Sequence, residues 1–364
     1  MTGDRFLPVG EGPFAGFLSY EVGHVLEPTA TAERPGLPGR GMGLDAVWGV
    51  GGWLGLRAVP SEDASVARAG LVTGPYTLGP MRSAWGRLGY VRAVERAVGL
   101  IHAGDLYQVN LAHALVGRFE GCPRALFADM SRASSPAFGC YLELPPLADG
   151  RRRAVLCVSP ELLVRYDAST RVLTTEPMKG TRPATADGLA QLRVSAKDCA
   201  ELAMIVDLMR NDVGRVGVIG SVRVDEPRMI ERHGPAQGGV WQASARVLGR
   251  LRDGLGLEDV LGALLPAGSI TGAPKVRAMQ VVHALEPTPR GPYCGAIGVL
   301  DGRGGAELAV GIRTALVVGD ELRYSVGAGI VAQSDPEAEW AETLAKAGPL
   351  RAIGAVIEDD GSWR

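Results

Sequence analysis

Neither sign of charge is in excess: 38 Lys and Arg stand against 40 Asp and Glu, a formal net charge of -2. That balance removes the simplest case for a nucleic-acid binder or a protein drawn to an anionic membrane surface. Cysteine is sparse. The five, Cys122, Cys140, Cys157, Cys199 and Cys294, are far apart and never form a CxxC pair. The pattern suggests neither a disulfide framework nor a zinc site, and reduced thiols in the cytoplasm are the simple expectation. The five histidines, His24, His102, His113, His233 and His283, lack metal-ligand spacing, and no serine- or cysteine-based triad assembles from local motifs. No apolar run is long enough to span a bilayer, and residues 1–10 lack the basic-then-apolar order of a signal peptide. Internal repeats, long charge runs and the motifs of a glutamine-hydrolysing cysteine domain are missing as well.

What is present is an ordinary globular composition, 46% apolar and 21% charged. A chain of 364 residues exceeds the usual single core, so two domains or one large layered domain are both possible. Residues 12–26 suit closely packed strands, 27–42 a surface loop, 44–59 a strand pair and 60–80 an irregular connection. Apolar spacing of three and four predicts helices over 82–103 and 197–213, the second with Ser195 as N-cap. Shorter helices are expected at 122–131, 257–264 and 275–284, and a last one from Ser334-Asp335-Pro336, where proline suits the first turn. Strands are expected at 106–115, 137–144, 153–158, 294–300, 307–318 and 322–330, with a hairpin of 161–166 and 171–175. Strands recurring among helices make the fold class mixed α/β.

That hairpin leads into Glu176-Pro177-Met178-Lys179-Gly180-Thr181-Arg182-Pro183, read as a loop holding one lysine between two prolines. An ordinary lysine is neutral in about one molecule in 2,500 at pH 7, so a nucleophilic role needs burial or a nearby cation, for which Arg182 is the candidate. The plain alternative is a lysine pointing into water.

Carboxylates recur at i and i+3 on two predicted helices, Asp198 with Glu201 and Glu339 with Glu342, the last one turn before Lys346. Together they suit a hard cation with oxygen ligands; separately they suit solvated helix faces. The turn 268–275, GSITGAPK, offers hydroxyls and N–H groups ahead of a helix, a setting for a carboxylate or phosphate, though it is not the Walker pattern. The segment 326–330, VGAGI, is a second place for N–H groups to meet an anion. Arg313, within the apolar run LAVGIRTALVV, needs either a carboxylate side chain or a substrate carboxylate. Glu161, after AVLCVSP, is a general acid or a surface acid at a turn.

The sequence resembles the chorismate-utilising enzymes from about residue 12 to 353. The resemblance is densest in YQVNLA (107–112), SPELL (159–163), EPMKGTRP (176–183), KDCAELAMIVDLMRNDVGRV (197–216), PAGSITGAPK (266–275), YCGAIG (293–298), GIRTA (311–315) and GAGIVAQSDPEAEWAET (327–343). It implies an α/β (α+β) fold like that of anthranilate synthase component I, with two β-sheets in a layered sandwich flanked by helices. One domain would then fill 1–364, with 1–80 as a shortened N-terminal subregion and 81–356 as the catalytic part. Members that add water to the ring carry a lysine where this chain has Gln108, so ammonia is the implied nucleophile. Lys179, where anthranilate synthases usually read alanine in PIAGT, points to the subfamily of aminodeoxychorismate synthase component I. That subfamily is a transaminase-type transferase feeding p-aminobenzoate and folate synthesis, and it takes ammonia from a separate glutamine amidotransferase.

By the same resemblance Lys179 is the nucleophile and Glu161 the acid and base. Glu201 and Glu342 hold Mg²⁺, with Asp198 and Glu339 acting through waters. Gln108, Thr181, Ser269, Thr271, Tyr293, Arg313, Gly327, Ala328, Gly329 and Lys346 surround chorismate. The sequence departs from the family at Gln242, in GGVWQASARV, where many relatives have histidine, and it lacks a recognisable tryptophan-binding serine segment. Anthranilate synthase component I, and a non-catalytic chorismate-binding or amidotransferase-docking subunit, are the competing readings. Neither nucleic acid nor membrane is an expected partner.

Overall fold

In the computed structural model the described residues are 13–27, 29, 51–55, 74–235 and 238–359. Most of the expected loop at 27–42, most of the strand pair at 44–59 and most of the connection at 60–80 lie outside them. They form two antiparallel sheets. The first runs in the order Met178–Pro183, Val240–Arg250, Val172–Glu176, Leu162–Asp167, Ala306–Val310, Ala296–Leu300, Phe14–Leu18, Gly51–Gly55, and Arg223–His233 also pairs with Val240–Arg250. The second runs Gly272–Ala273, Gln108–Gly121, Glu321–Ile330, Thr314–Val318, Arg153–Ser159, Phe138–Leu144. Ala15, Phe17 and Ile297 of the first sheet pack on Leu142, Val155, Cys157 and Leu316 of the second, so the sheets meet face to face there.

The helices follow from local chemistry. Ser195 caps Ala196–Val216 by accepting from the Asp198 N–H at 3.1 Å. Leu202, Ile205, Met209, Val213 and Val216 then bury one stripe of that helix beside Val240–Arg250. Asp335 caps Pro336–Ala345 through the Ala338 N–H, with proline in the first turn. That second helix packs on Glu321–Ile330 and on the helix Arg87–His102. Each of the two capped helices therefore lies against a different sheet.

The apolar run 307–318 is not one strand. It breaks at Gly311–Arg313, and its halves, Ala306–Val310 and Thr314–Val318, belong to different sheets. Arg313 adopts φ +50°, a left-handed conformation that costs a non-glycine residue roughly 1–2 kcal/mol. A second crossing runs beside it, at Pro160–Glu161, between Arg153–Ser159 and Leu162–Asp167. The crossings are tied by Val158 N–H to Arg313 O (3.2 Å) and Val310 N–H to Glu161 O (3.0 Å). Thus Arg313 and Glu161 sit at the seam where both ladders change sheet.

Candidate active site

Four segments bring the chemistry to this seam. Glu161 comes from the crossing itself and is 5% exposed. Ser269 Oγ donates to its carboxylate at 2.7 Å. Burial pushes its pKa up to about 7, against the opposing pull of Ser269, Lys179 and Arg313. A carboxyl tuned this way can hold or release a proton near neutral pH.

Lys179 comes from Met178–Pro183, which is a strand, not the expected loop. Its pairing with Val240–Arg250 slips between Met178↔Ser244 and Thr181↔Gln242. Lys179 and Gly180 occupy that bulge, a device that re-aims a side chain. Gly180 is required, because φ is +87° and a Cβ would lie 2.9 Å from Leu192 and 3.0 Å from Asp198. The Lys179 amine has no hydrogen bond or ion pair among the described residues. Burial, then the neighbouring Lys346 ammonium, push its pKa below the ordinary lysine value, while Glu201, Glu161 and Glu342 oppose them. The cation that adds to the lowering is Lys346. Arg182, the expected one, is bonded to Asp198 at 2.8 Å.

The second sheet supplies the floor. A Cβ on Gly329 would lie 3.0 Å from Gln108 Nε2 and 3.3 Å from Lys179 Nζ, so both side chains rest on this glycine. Gln108 is 1% exposed, and neither polar atom of its amide has a partner among the described residues. Unfilled buried amide groups beside an unpaired amine mark a place built for a polar ligand. Thr314–Val318 pairs with Glu321–Ile330 only as far as Tyr324, because the chain turns away at Arg313. Among the described residues Gly327, Ala328 and Gly329 thus keep an edge free of a neighbouring strand on that side, in line with the expected anion contact.

The remaining expected residues divide. Lys346 reaches Gly327 O at 2.7 Å and Glu342 at 2.9 Å. Burial raises the Glu342 pKa, but Lys346, Lys179 and Lys197 together outweigh it and hold the carboxyl below its ordinary range. Arg313 has no side-chain hydrogen bond or ion pair among the described residues, and burial lowers its pKa despite Tyr324 and Glu161 nearby. Thr181 receives a long 3.4 Å contact from Gln242 Nε2, and Gln242 Oε1 has no partner among the described residues. Thr271 is fully buried and uses its carbonyl to accept from the Asn110 N–H. Tyr293 is buried in a turn joined to the Gly311 crossing through the Cys294 N–H. The turn 268–275 is not an open anion site: Ser269 serves Glu161, and Lys275 is paired to Asp212 at 2.6 Å.

Of the four acids, Asp198 is held by Arg182, Glu339 by Ser334 (2.6 Å), and Glu201 lies 3.7 Å from Lys197. Among the described residues no three acidic, His or Cys side chains form a metal cage. Glu201 and Glu342 nevertheless flank Lys179 from two helices. Two carboxylates, with the rest of the shell from water and substrate oxygens, fit the usual demands of Mg²⁺. Tyr324, which faces Arg313 from the strand Glu321–Ile330, carried no signal in the sequence beyond strand alternation.

Residues 70–352 match the family of chorismate binding enzymes. The chain belongs to that family. It is 40% identical over 276 residues to aminodeoxychorismate synthase component 1 of Salmonella typhimurium, covering 73% of this chain and 58% of that protein. It is equally 40% identical over 271 residues to anthranilate synthase component 1 of Pseudomonas aeruginosa, covering 73% and 53%. The chain spans about half the length of the curated relatives it matches. Among solved structures it resembles anthranilate synthase component I from Streptococcus pneumoniae (TM-score 0.72, 26% identity, 95% of this chain and 81% of that one). It also resembles the menaquinone-specific isochorismate synthase from Escherichia coli (TM-score 0.65, 27% identity, 84% and 71%). Among the described residues no helix is long and apolar enough to cross a membrane.

Proposed function

We propose that this chain aminates chorismate at C4, giving 4-amino-4-deoxychorismate, with ammonia supplied by a glutamine amidotransferase subunit. The observation that carries the reading is the Lys179 amine: unpaired, desolvated, beside Lys346 and within the same cluster as Glu161. Direct addition of water or ammonia to the ring needs no nucleophilic amine at this position, whereas a covalent route does. Protonated Glu161 gives its proton to the C4 hydroxyl, which leaves as water while Lys179 adds at C2 and both ring double bonds shift by one bond toward C4. The lysine nitrogen loses a proton to the Glu161 carboxylate. Ammonia then forms the C4–N bond and the ring electrons return, while the C2–N bond breaks as Glu161 gives its proton back to the lysine nitrogen. The new C4 ammonium passes its extra proton to the Glu161 carboxylate, which restores the starting acid and amine. The net change is chorismate plus ammonia to aminodeoxychorismate plus water.

Arg313, Lys346 and the free edge at Gly327–Gly329 bind the two carboxylates of the substrate dianion. Gln108 fills its amide bonds on the ring side. Glu201 and Glu342 are the residues that would hold Mg²⁺, with Asp198 and Glu339 behind them. Bound there, the ion supplies positive charge to the ring carboxylate.

The test is product analysis with chorismate, Mg²⁺ and high ammonium. Chorismate should disappear without pyruvate release, and added aminodeoxychorismate lyase should then give p-aminobenzoate. Anthranilate and pyruvate formed without a lyase would establish the anthranilate synthase reading. No loss of chorismate would establish the docking reading.

A further inference from the structure

A chain of hydrogen bonds outside the reacting groups runs through His113. The N–H groups of Trp85 and Gly86 donate to Ser83 Oγ at 3.3 and 3.1 Å. Ser83 Oγ lies 3.0 Å from His113 Nδ1, and His113 Nε2 lies 2.8 Å from Thr343 Oγ1. Thr343 in turn donates its hydroxyl proton to Trp340 O at 2.7 Å. A hydroxyl has one proton to give. Thr343 has spent its own, so Nε2 must carry the hydrogen that bridges to it. Nδ1 is then the acceptor, and Ser83 donates to it. Every proton in the chain is assigned, with one direction throughout and no group left over.

This chain joins three elements. Ser83 sits just before the helix Arg87–His102, His113 lies in the strand Gln108–Gly121, and Thr343 lies on the helix Pro336–Ala345. The last helix presents Glu342, next to Thr343, and leads to Lys346 one turn on. The strand presents Gln108. The ring of His113 also stacks on Trp340, centroids 4.8 Å apart at 22°. All of this is buried, with Ser83 and Thr343 fully so. An apolar residue would fill the same space, but it would let the helix slide or turn against the strand.

We propose that His113 is a positioning residue, whose Nε2–H bond to Thr343 fixes Glu342 and Lys346 against the strand carrying Gln108. The proposal rests on chorismate amination only for its kinetic arm. Because Lys346 both contacts Gly327 O and lowers the Lys179 pKa, a small shift of its helix changes substrate binding and amine activation together.

The two amides that mimic histidine separate the functions of its nitrogens. His113→Gln can keep a donor toward Thr343, whereas His113→Asn keeps only an acceptor toward Ser83. Thr343→Val removes the same bond from the other side without changing volume. For His113→Asn and for Thr343→Val we expect KM for chorismate to rise about tenfold, the size of one buried hydrogen bond. His113→Gln should stay within about twofold of the parent, and Asn with Val together should cost no more than either alone. Hydrogen exchange gives a readout independent of turnover. Amides of 336–345 should exchange faster in the Asn and Val variants and not in the Gln variant. Equal loss in Gln and Asn would mean that ring stacking on Trp340 does the work, and the proposal fails. It fails also if Thr343→Val is silent in exchange. If the parent protein consumes no chorismate, the proposed reaction falls while exchange still decides the part played by His113.

Discussion

Two half-buried lysines, ninety-six residues apart in the chain, show how different environments use the same group. Lys275 is 13% exposed in its side chain and paired to Asp212, 2% exposed, at 2.6 Å, with a further bond to Ala263 O. Among the described residues Lys179 has no such partner, only a glycine floor, an unfilled glutamine and a neighbouring ammonium. Burial is the largest cause of a lowered pKa at both. At both a cation adds to it, Arg215 at Lys275 and Lys346 at Lys179, and carboxylates oppose it. At Lys275 the opposing carboxylate is bonded and the proton stays in a fixed bond; at Lys179, among the described residues, none of the opposing carboxylates is bonded to the amine. Burial supplies the perturbation; the partner decides whether that serves structure or reactivity.

The largest expected effect comes from treating the two alike. Lys179→Met should lower kcat for amination roughly 10³-fold or more, because it removes the nucleophile. Its thermal midpoint should stay near that of the parent. Lys275→Met should do the opposite. It leaves the Asp212 charge buried and alone, at a cost of about 3–5 kcal/mol that denaturant unfolding will read. Adding Asp212→Leu should recover most of that loss. If Lys179→Met also unfolds the protein, or leaves turnover intact, the division between the two lysines is wrong.

Glu161 sharpens the contrast from the acidic side. In the unfolded chain it titrates at 4.5 and in the fold at about 7. Below 4.5 both states hold the proton. Between 4.5 and 7 the unfolded state loses it first, so this group's contribution to stability falls as pH rises. Glu161→Gln should abolish that fall and stabilise the protein at pH 8 by on the order of 3 kcal/mol, with little change at pH 4. Amination by the parent should decline above about pH 7 as the acid form is lost, and the variant should have lost most activity throughout. A variant no more stable at pH 8 would show that Glu161 is not held as an acid.

Much of this was legible before any coordinates. The helix Ala196–Val216 announced itself through Ser195 and an apolar stripe, and the motif order placed Lys179, Glu161, Gln108 and the paired acids in one family site. The geometry of activation was not legible. A continuous apolar run such as LAVGIRTALVV carries no mark of the left-handed turn at Arg313 or of the change of sheet. The bulge at Lys179 depends on a partner strand, Val240–Arg250, whose register only the fold sets. For the same reason Arg182 looked like the activating cation although Asp198 claims it. The charged strand Arg223–His233 is mostly exposed, so apolar patterning cannot reveal it.

The smallest expected effect is the most specific to the unpaired lysine. Gly329 lies within the strand Glu321–Ile330 without a positive φ, so alanine suits the backbone there. The added Cβ would meet only the ends of two side chains, Gln108 Nε2 at 3.0 Å and Lys179 Nζ at 3.3 Å. These can give way, so Gly329→Ala should cost less than about 1 kcal/mol of stability. Giving way moves the amine, and misplacing a reacting atom by a fraction of an ångström costs rate before it costs affinity. We expect kcat to fall about tenfold with KM nearly unchanged. Lys275 rests on no comparable floor, because Asp212 and Ala263 O hold it by direct bonds that survive small shifts. A Gly329→Ala variant with full kcat would therefore mean that the Lys179 amine tolerates displacement as a paired structural lysine does, and its claim to be the nucleophile would go with it.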